Sequence, residues 1–300
     1  MSTSPDLGGL GMRDAALGAR KVVSLPGGQV EYAERGSGPP VVFVHGLLVN
    51  ANLWRNVVPA VADAGYRCIA PDWPLGAHRL PMPDLADLTP PGVAKLIADF
   101  LDTLDLTDVT IVANDTGGAL TQLLMAAHPE RIGRVVLTPC DAFEAFFPPP
   151  YDALPKLVRL PTALWLGSRL LQLPLVQRLP NTFGWLAKSG IPPEILATYL
   201  RPIHASAAIR RDAKRFIGGV HNRYTLAAAE SLPNFTKPVL LVRAADDRIF
   251  PPHLFDRLST TLPNANLVTV EDSYSFIPED QPTELARLIV NFMTYSDGVI

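Results

Sequence analysis

The chain predicts an α/β protein: a mostly parallel twisted sheet with helices on both faces and a helical cap inserted after the sixth strand. Three observations carry that reading. Short apolar runs alternate with helical patterns along most of the 300 residues, as in a sheet buried on both sides. The alternation stops at residue 142, where proline clusters (Pro148, Pro149, Pro150; Pro192, Pro193) break up apolar helical segments, and resumes after about residue 220. One apolar run ends in Val-Ala-Asn-Asp-Thr-Gly-Gly-Ala-Leu at residues 112–120, a sharp strand-to-helix turn with small residues crowded around Asp115.

Each element has its own signal. Residues 21–25 and 30–34 flank Pro26-Gly27-Gly28 and predict a hairpin. Residues 41–44 are β-branched and aromatic, and the chain turns at His45-Gly46. Residues 68–70 make another strand, ended by Pro71-Asp72-Trp73-Pro74. From 90 to 104 the spacing is helical, with Val93, Leu96, Ile97, Phe100 and Leu101 on one face. Residues 109–113 lead into Asp115, 117–128 form the helix behind it, and 135–137 form the next strand. After the insertion come strands at 239–242 and 267–270 and a helix at 282–293. There is no internal repeat. The expected organisation is a core of residues 20–141 and 221–297, a helical cap at 142–220 that belongs to the same fold, and a loose N-terminal arm at 1–19.

Composition narrows the function. With 48% hydrophobic and 18% charged residues the chain has material for a large core and too little charge for disorder. A net charge of −3 points away from nucleic acid and from acidic membrane surfaces. Cys68 and Cys140 both end apolar runs and are expected as free core thiols. Residues 1–16 lack the continuous apolar stretch of a signal peptide, and residues 160–179 are broken by Pro161, Arg169, Pro174 and Arg178, so no membrane span is expected. Composition alone leads to the expectation of a cytoplasmic globular protein, with homodimerisation left open.

These motifs, in this order, resemble the α/β-hydrolase superfamily: His45-Gly46 after a strand, the elbow at Asp115, Asp247 in Asp-Asp-Arg-Ile-Phe-Pro at 246–251 after a later strand, and Phe276-Ile277-Pro278-Glu279 beyond the last one. The likeness covers roughly residues 20 to 295. An aspartate at the elbow, in place of serine, is similar to the haloalkane dehalogenase and epoxide hydrolase branch. The resemblance implies a small apolar partner, no cofactor and no metal, and that the Asp115 carboxylate attacks an electrophilic carbon and forms an ester. It also implies that the backbone amides of Leu47 and Thr116 make the oxyanion hole, and that Asp247 is the acid that orients a base, with Asp141 an alternative. Without the resemblance, Asp115 reads as a helix N-cap, a role that does not require the Gly117-Gly118 pair.

The chain departs from the family at two places. The family pattern ends Gly-x-Gly-His-Phe; here the segment reads Asp272-Ser273-Tyr274-Ser275-Phe276, and Ser275 stands in the histidine slot. Four outcomes are open. Asp247, Asp272 or a relocated His204, His221 or His253 activates water. The ester forms and persists. Asp115 works as a general acid or base in an isomerase, lyase or cyclase. Or the chain only binds. The second departure is at the halide site, where relatives carry tryptophan after the nucleophile and often asparagine after His-Gly; this chain has Thr116 and Leu47. Epoxide-type opening is therefore preferred to dehalogenation, with Tyr151, Tyr199 and Tyr224 available near the cap as donors. His45, Trp54, Phe143, Phe146, Trp165 and Tyr151 are the candidate pocket residues, although the aromatics serve equally well as cap packing.

Overall fold

The computed structural model describes residues 13–295. Eight strands form one sheet: β1 (Ala19–Leu25), β2 (Gly28–Arg35), β3 (Pro40–Val44), β4 (Arg67–Pro71), β5 (Val109–Asp115), β6 (Ile132–Cys140), β7 (Val239–Ala244) and β8 (Ala265–Val270). Their order across the sheet is β1-β2-β4-β3-β5-β6-β7-β8. β2 pairs antiparallel with both β1 and β4, and every other pairing is parallel. The chain passes from β3 outward to β4 and then back to β5, so the strand order reverses between β3 and β5. In open parallel sheets the carboxyl ends of the strands at such a reversal frame the ligand site.

Among the described residues twelve α-helices accompany the sheet. α1 (Val58–Asp63), α2 (Pro90–Thr103) and α3 (Thr116–Ala127) precede β6. Between β6 and β7 lie α4 (Leu154–Leu157), α5 (Ala163–Leu170), α6 (Pro174–Gln177), α7 (Pro193–Ala205), α8 (Ala207–Gly219) and α9 (Arg223–Ser231). α10 (Pro252–Thr261), α11 (Ile277–Asp280) and α12 (Pro282–Tyr295) complete the chain. α2 shows how sequence becomes packing. The Thr89 side chain accepts from the Gly92 amide, and Pro90 and Pro91 fill the first turn, where a missing N–H costs nothing. The face of Val93, Leu96, Ile97, Phe100 and Leu101 is buried, each side chain worth about 1.5–3 kcal/mol of transfer free energy. Phe100 meets Tyr32 and Trp73 edge-on at 5.4 Å.

Apolar clusters fill both faces of the sheet, and both cysteines are free and buried within them. Among the described residues no helix is long and apolar enough to cross a membrane. The expected arm needs correction over residues 13–18. The buried Arg13 guanidinium pairs with Asp72 at 2.5 Å, and Leu17 enters the core from a short 3-10 turn. One arginine and one leucine anchor a stretch whose composition looks featureless. Residues 1–12 lie outside the described part of the chain.

Candidate active site

Asp115 ends β5 next to the strand-order reversal. Its backbone is forced to φ 58° and ψ −135°, a region that costs a non-glycine residue about 1–3 kcal/mol. The neighbours hold it there. A Cβ on Gly117 would meet the Val44 carbonyl at 2.3 Å, and one on Gly118 would meet Cys140 Cβ at the same distance, so α3 can lie this close to β3 and β6 only with glycine at both positions. Gly46 leaves room for the carboxylate itself: a Cβ there would fall 2.2 Å from Asp115 Oδ1. Beneath the turn, buried Asn114 clamps three elements, donating to Thr138 Oγ1 at 2.9 Å, the Pro139 carbonyl at 3.1 Å and the Ser275 carbonyl at 2.9 Å.

The Asp115 carboxylate lines a cavity of about 230 Å³ whose wall is mostly apolar: Leu47, Leu48, Phe147, Phe183, Leu186 and Phe250 among others. That exceeds the ~150 Å³ that admits benzene in an engineered cavity. Oδ1 accepts the Leu47 amide at 3.2 Å and the Thr116 amide at 2.5 Å. Burial raises the Asp115 pKa, and these donors pull against that rise.

A second carboxyl shares the cavity. Asp141 follows β6 directly and is 1% exposed. Its Oδ2 accepts from Thr116 Oγ1 at 3.1 Å, while Oδ1 is buried without a hydrogen-bond partner. Burial, together with the Asp115 charge, pushes its pKa well up. Tyr151 is also in the wall, its phenol pushed up to about 12 by burial and by Asp115.

Asp247 and Ser275 meet each other but stand outside this wall. Ser275 Oγ donates to Asp247 Oδ1 at 2.7 Å, and the Ile249 and Phe250 amides donate to the same oxygen at 2.8 and 3.0 Å. Asp247 lines a separate groove, and Ser275 is fully buried.

Five expected pocket residues are corrected. His45 is buried below the loop, with Nδ1 2.9 Å from the Gly46 carbonyl and Nε2 accepting the Trp73 amide at 2.9 Å. Burial lowers its pKa to about 4, so it is a neutral brace. Trp54 packs on Phe43 inside the core. Phe143 lies under the Arg257 guanidinium, and Phe146 faces a different groove. Trp165 is 47% exposed and stacks on His204 at the surface. Residue type revealed their apolarity but not which way each face turned. Tyr199 and Tyr224 are not in the wall either, and none of the six histidines lines it among the described residues. The reading did not single out Leu48, which follows one motif loop, or Ile249 and Phe250, which lie within the other; adjacency to a motif was the usable signal.

This fold and this elbow define an alpha/beta hydrolase. The chain belongs to that family, whose model matches residues 41–288. Its relatives are of the haloalkane dehalogenase and epoxide hydrolase type. A cis-3-alkyl-4-alkyloxetan-2-one decarboxylase of Shewanella oneidensis is 30% identical over 294 residues, 93% of this chain and 89% of that protein. Haloalkane dehalogenase 2 of Mycobacterium tuberculosis is 28% identical over 272 residues, covering 88% and 91%. The solved haloalkane dehalogenase DatA from Agrobacterium tumefaciens has the same fold, with a TM-score of 0.74 at 22% identity over 94% of this chain and 99% of that one.

Proposed function

We propose that this chain is a hydrolase that opens a strained oxygen ring, an epoxide or an oxetan-2-one, on a small apolar molecule through attack by the Asp115 carboxylate. The observation that carries this is the placement of Asp115 in the wall of an apolar cavity, with Oδ1 held by two amides. Oδ1 is engaged, so the other oxygen attacks. After attack Oδ1 is the ester carbonyl oxygen, already seated on the Leu47 and Thr116 amides, where negative charge develops when water adds. Removing one such donor costs about 10²–10³ in rate in a comparable site.

Ring opening is favoured over halide displacement. A leaving halide needs N–H donors, and no tryptophan lines the cavity. A ring oxygen needs an O–H, and Tyr151 keeps its hydrogen at neutral pH. A chain that only binds, the reading Ser275 invites, is disfavoured because relatives matching nearly the whole length are enzymes.

Incubation with styrene oxide, read by intact mass and diol release, tests the reading. The parent is expected to release diol or carry one added substrate mass, and Asp115→Asn to do neither, with turnover down at least about a thousandfold. Equal behaviour of parent and variant would remove Asp115 from the chemistry.

A further inference from the structure

We propose that Asp141 is the acid–base residue of this site, giving a proton to the opening ring oxygen and taking one from the hydrolytic water, the work usually left to a histidine. The inference rests on Asp115 being the nucleophile.

Three independent observations support it. First, none of the six histidines lines the cavity among the described residues, and Ser275, in the histidine slot, is buried behind it against Asp247. The cavity holds two carboxyls, Asp115 and Asp141, and one phenol, Tyr151. Second, Asp141 Oδ1 is a buried oxygen with no partner. An ionised carboxylate would pay heavily for that, and a carboxylic acid far less. Third, Thr116 ties the two carboxyls together: its amide donates to Asp115 and its hydroxyl to Asp141. Two carboxyls bridged through one threonine favour holding one proton between them. The order of burial assigns it: Asp141 is 1% exposed, whereas Asp115 is braced by two amides that favour its anion. Tyr151 is the weaker acid, and its phenolate would face the Asp115 charge. It can orient the ring oxygen but is a poor source of the proton.

The proton count closes over a full cycle. Asp115 attacks a ring carbon, the carbon–oxygen bond breaks, and the Asp141 proton goes to the released oxygen, leaving an ester on Asp115 and a carboxylate at Asp141. That carboxylate takes a proton from water as its oxygen adds to the ester carbonyl. The tetrahedral intermediate then expels the alkoxide, which recovers the proton from Asp141. The regenerated Asp115 acid passes its proton to Asp141, and the starting state is restored with one water consumed.

Asp141→Asn separates the two roles. With hexyl methanesulfonate, whose sulfonate leaves without a proton and without a halide-binding N–H, the variant is expected to gain one hexyl mass that persists, because ester hydrolysis slows about 10²–10⁴-fold without its base. With styrene oxide, ester formation itself slows by about the same range. The hexyl adduct also reports a folded pocket. Asp141→Glu keeps an acid and should retain at least about tenfold more turnover than Asp141→Asn, as a merely structural role would not require. Independently of any substrate, the parent should show a carboxylic-acid carbonyl band in the infrared at neutral pH that Asp141→Asn lacks. Turnover of both probes by Asp141→Asn within about threefold of the parent overturns the proposal, as does an unchanged infrared band. No adduct and no product from the parent itself, as for Asp115→Asn, is a different failure: the nucleophile reading falls, and this inference with it.

Discussion

At the scale of single residues, the departure from the family pattern at Ser275 is met by what surrounds it. Its hydroxyl is one of three donors converging on Asp247 Oδ1, and neither residue reaches the Asp115 cavity. The pair therefore holds the loop after β7 against the loop after β8. Ser275→Ala removes a buried hydrogen bond and leaves two donors in place, so its expected cost is about 1 kcal/mol of stability, with turnover within about threefold of the parent. Urea unfolding and steady-state rates check this. A hundredfold loss of turnover with unchanged stability would show instead that Ser275 and Asp247 relay the proton.

At the scale of elements, the elbow is a packing solution before it is a chemical one. Strained Asp115 persists because α3 is wedged between β3 and β6 with no room to relax. In Gly118→Ala the new methyl would sit 2.3 Å from Cys140 Cβ, which forces a shift, and overpacking of this kind costs about 1–3 kcal/mol. Thermal melting should fall and turnover with it; an unchanged melt would mean that the helix is less tightly seated. The Gly-Gly pair was legible in the sequence because it serves local geometry. So were the strand centres, whose apolar runs need only be counted. Strand ends were less so: β6 continues through Thr138, a polar residue that no apolar count includes, because its hydroxyl donates to the Ala113 carbonyl at 2.9 Å. That continuation is what delivers Asp141 to the cavity; in the sequence Asp141 came second because Asp247 sits in the family's motif. The short helices α9 and α11 were missed, and neither has a side-chain cap to mark its start.

At the scale of the whole molecule, the fold keeps an acidic group where water is scarce, and stability should record it. Asp141 has its pKa raised above the unfolded value of 3.8, so its contribution to stability is fully present below that value and is lost as pH rises through the folded pKa. Asp141→Asn carries no such loss. The stability of the variant relative to the parent should therefore rise as pH is raised from about 4 in paired denaturant titrations, and a flat or falling difference would contradict the buried-acid account. Architecture was readable at this scale, because layer order follows from alternation and from one long interruption. The pocket was not: its wall gathers residues from distant segments, Leu48, Phe147, Phe183 and Phe250, whose convergence is a property of the closed fold. Every part of that arrangement serves one claim, that Asp115 forms a covalent ester which water then hydrolyses at its carbonyl. A single turnover with protein in excess, in heavy-oxygen water, tests it most directly. The account predicts that the first product carries ordinary oxygen taken from Asp115 and that the heavy atom appears in the Asp115 carboxylate. Heavy oxygen in the first product, with none in the protein, would contradict it.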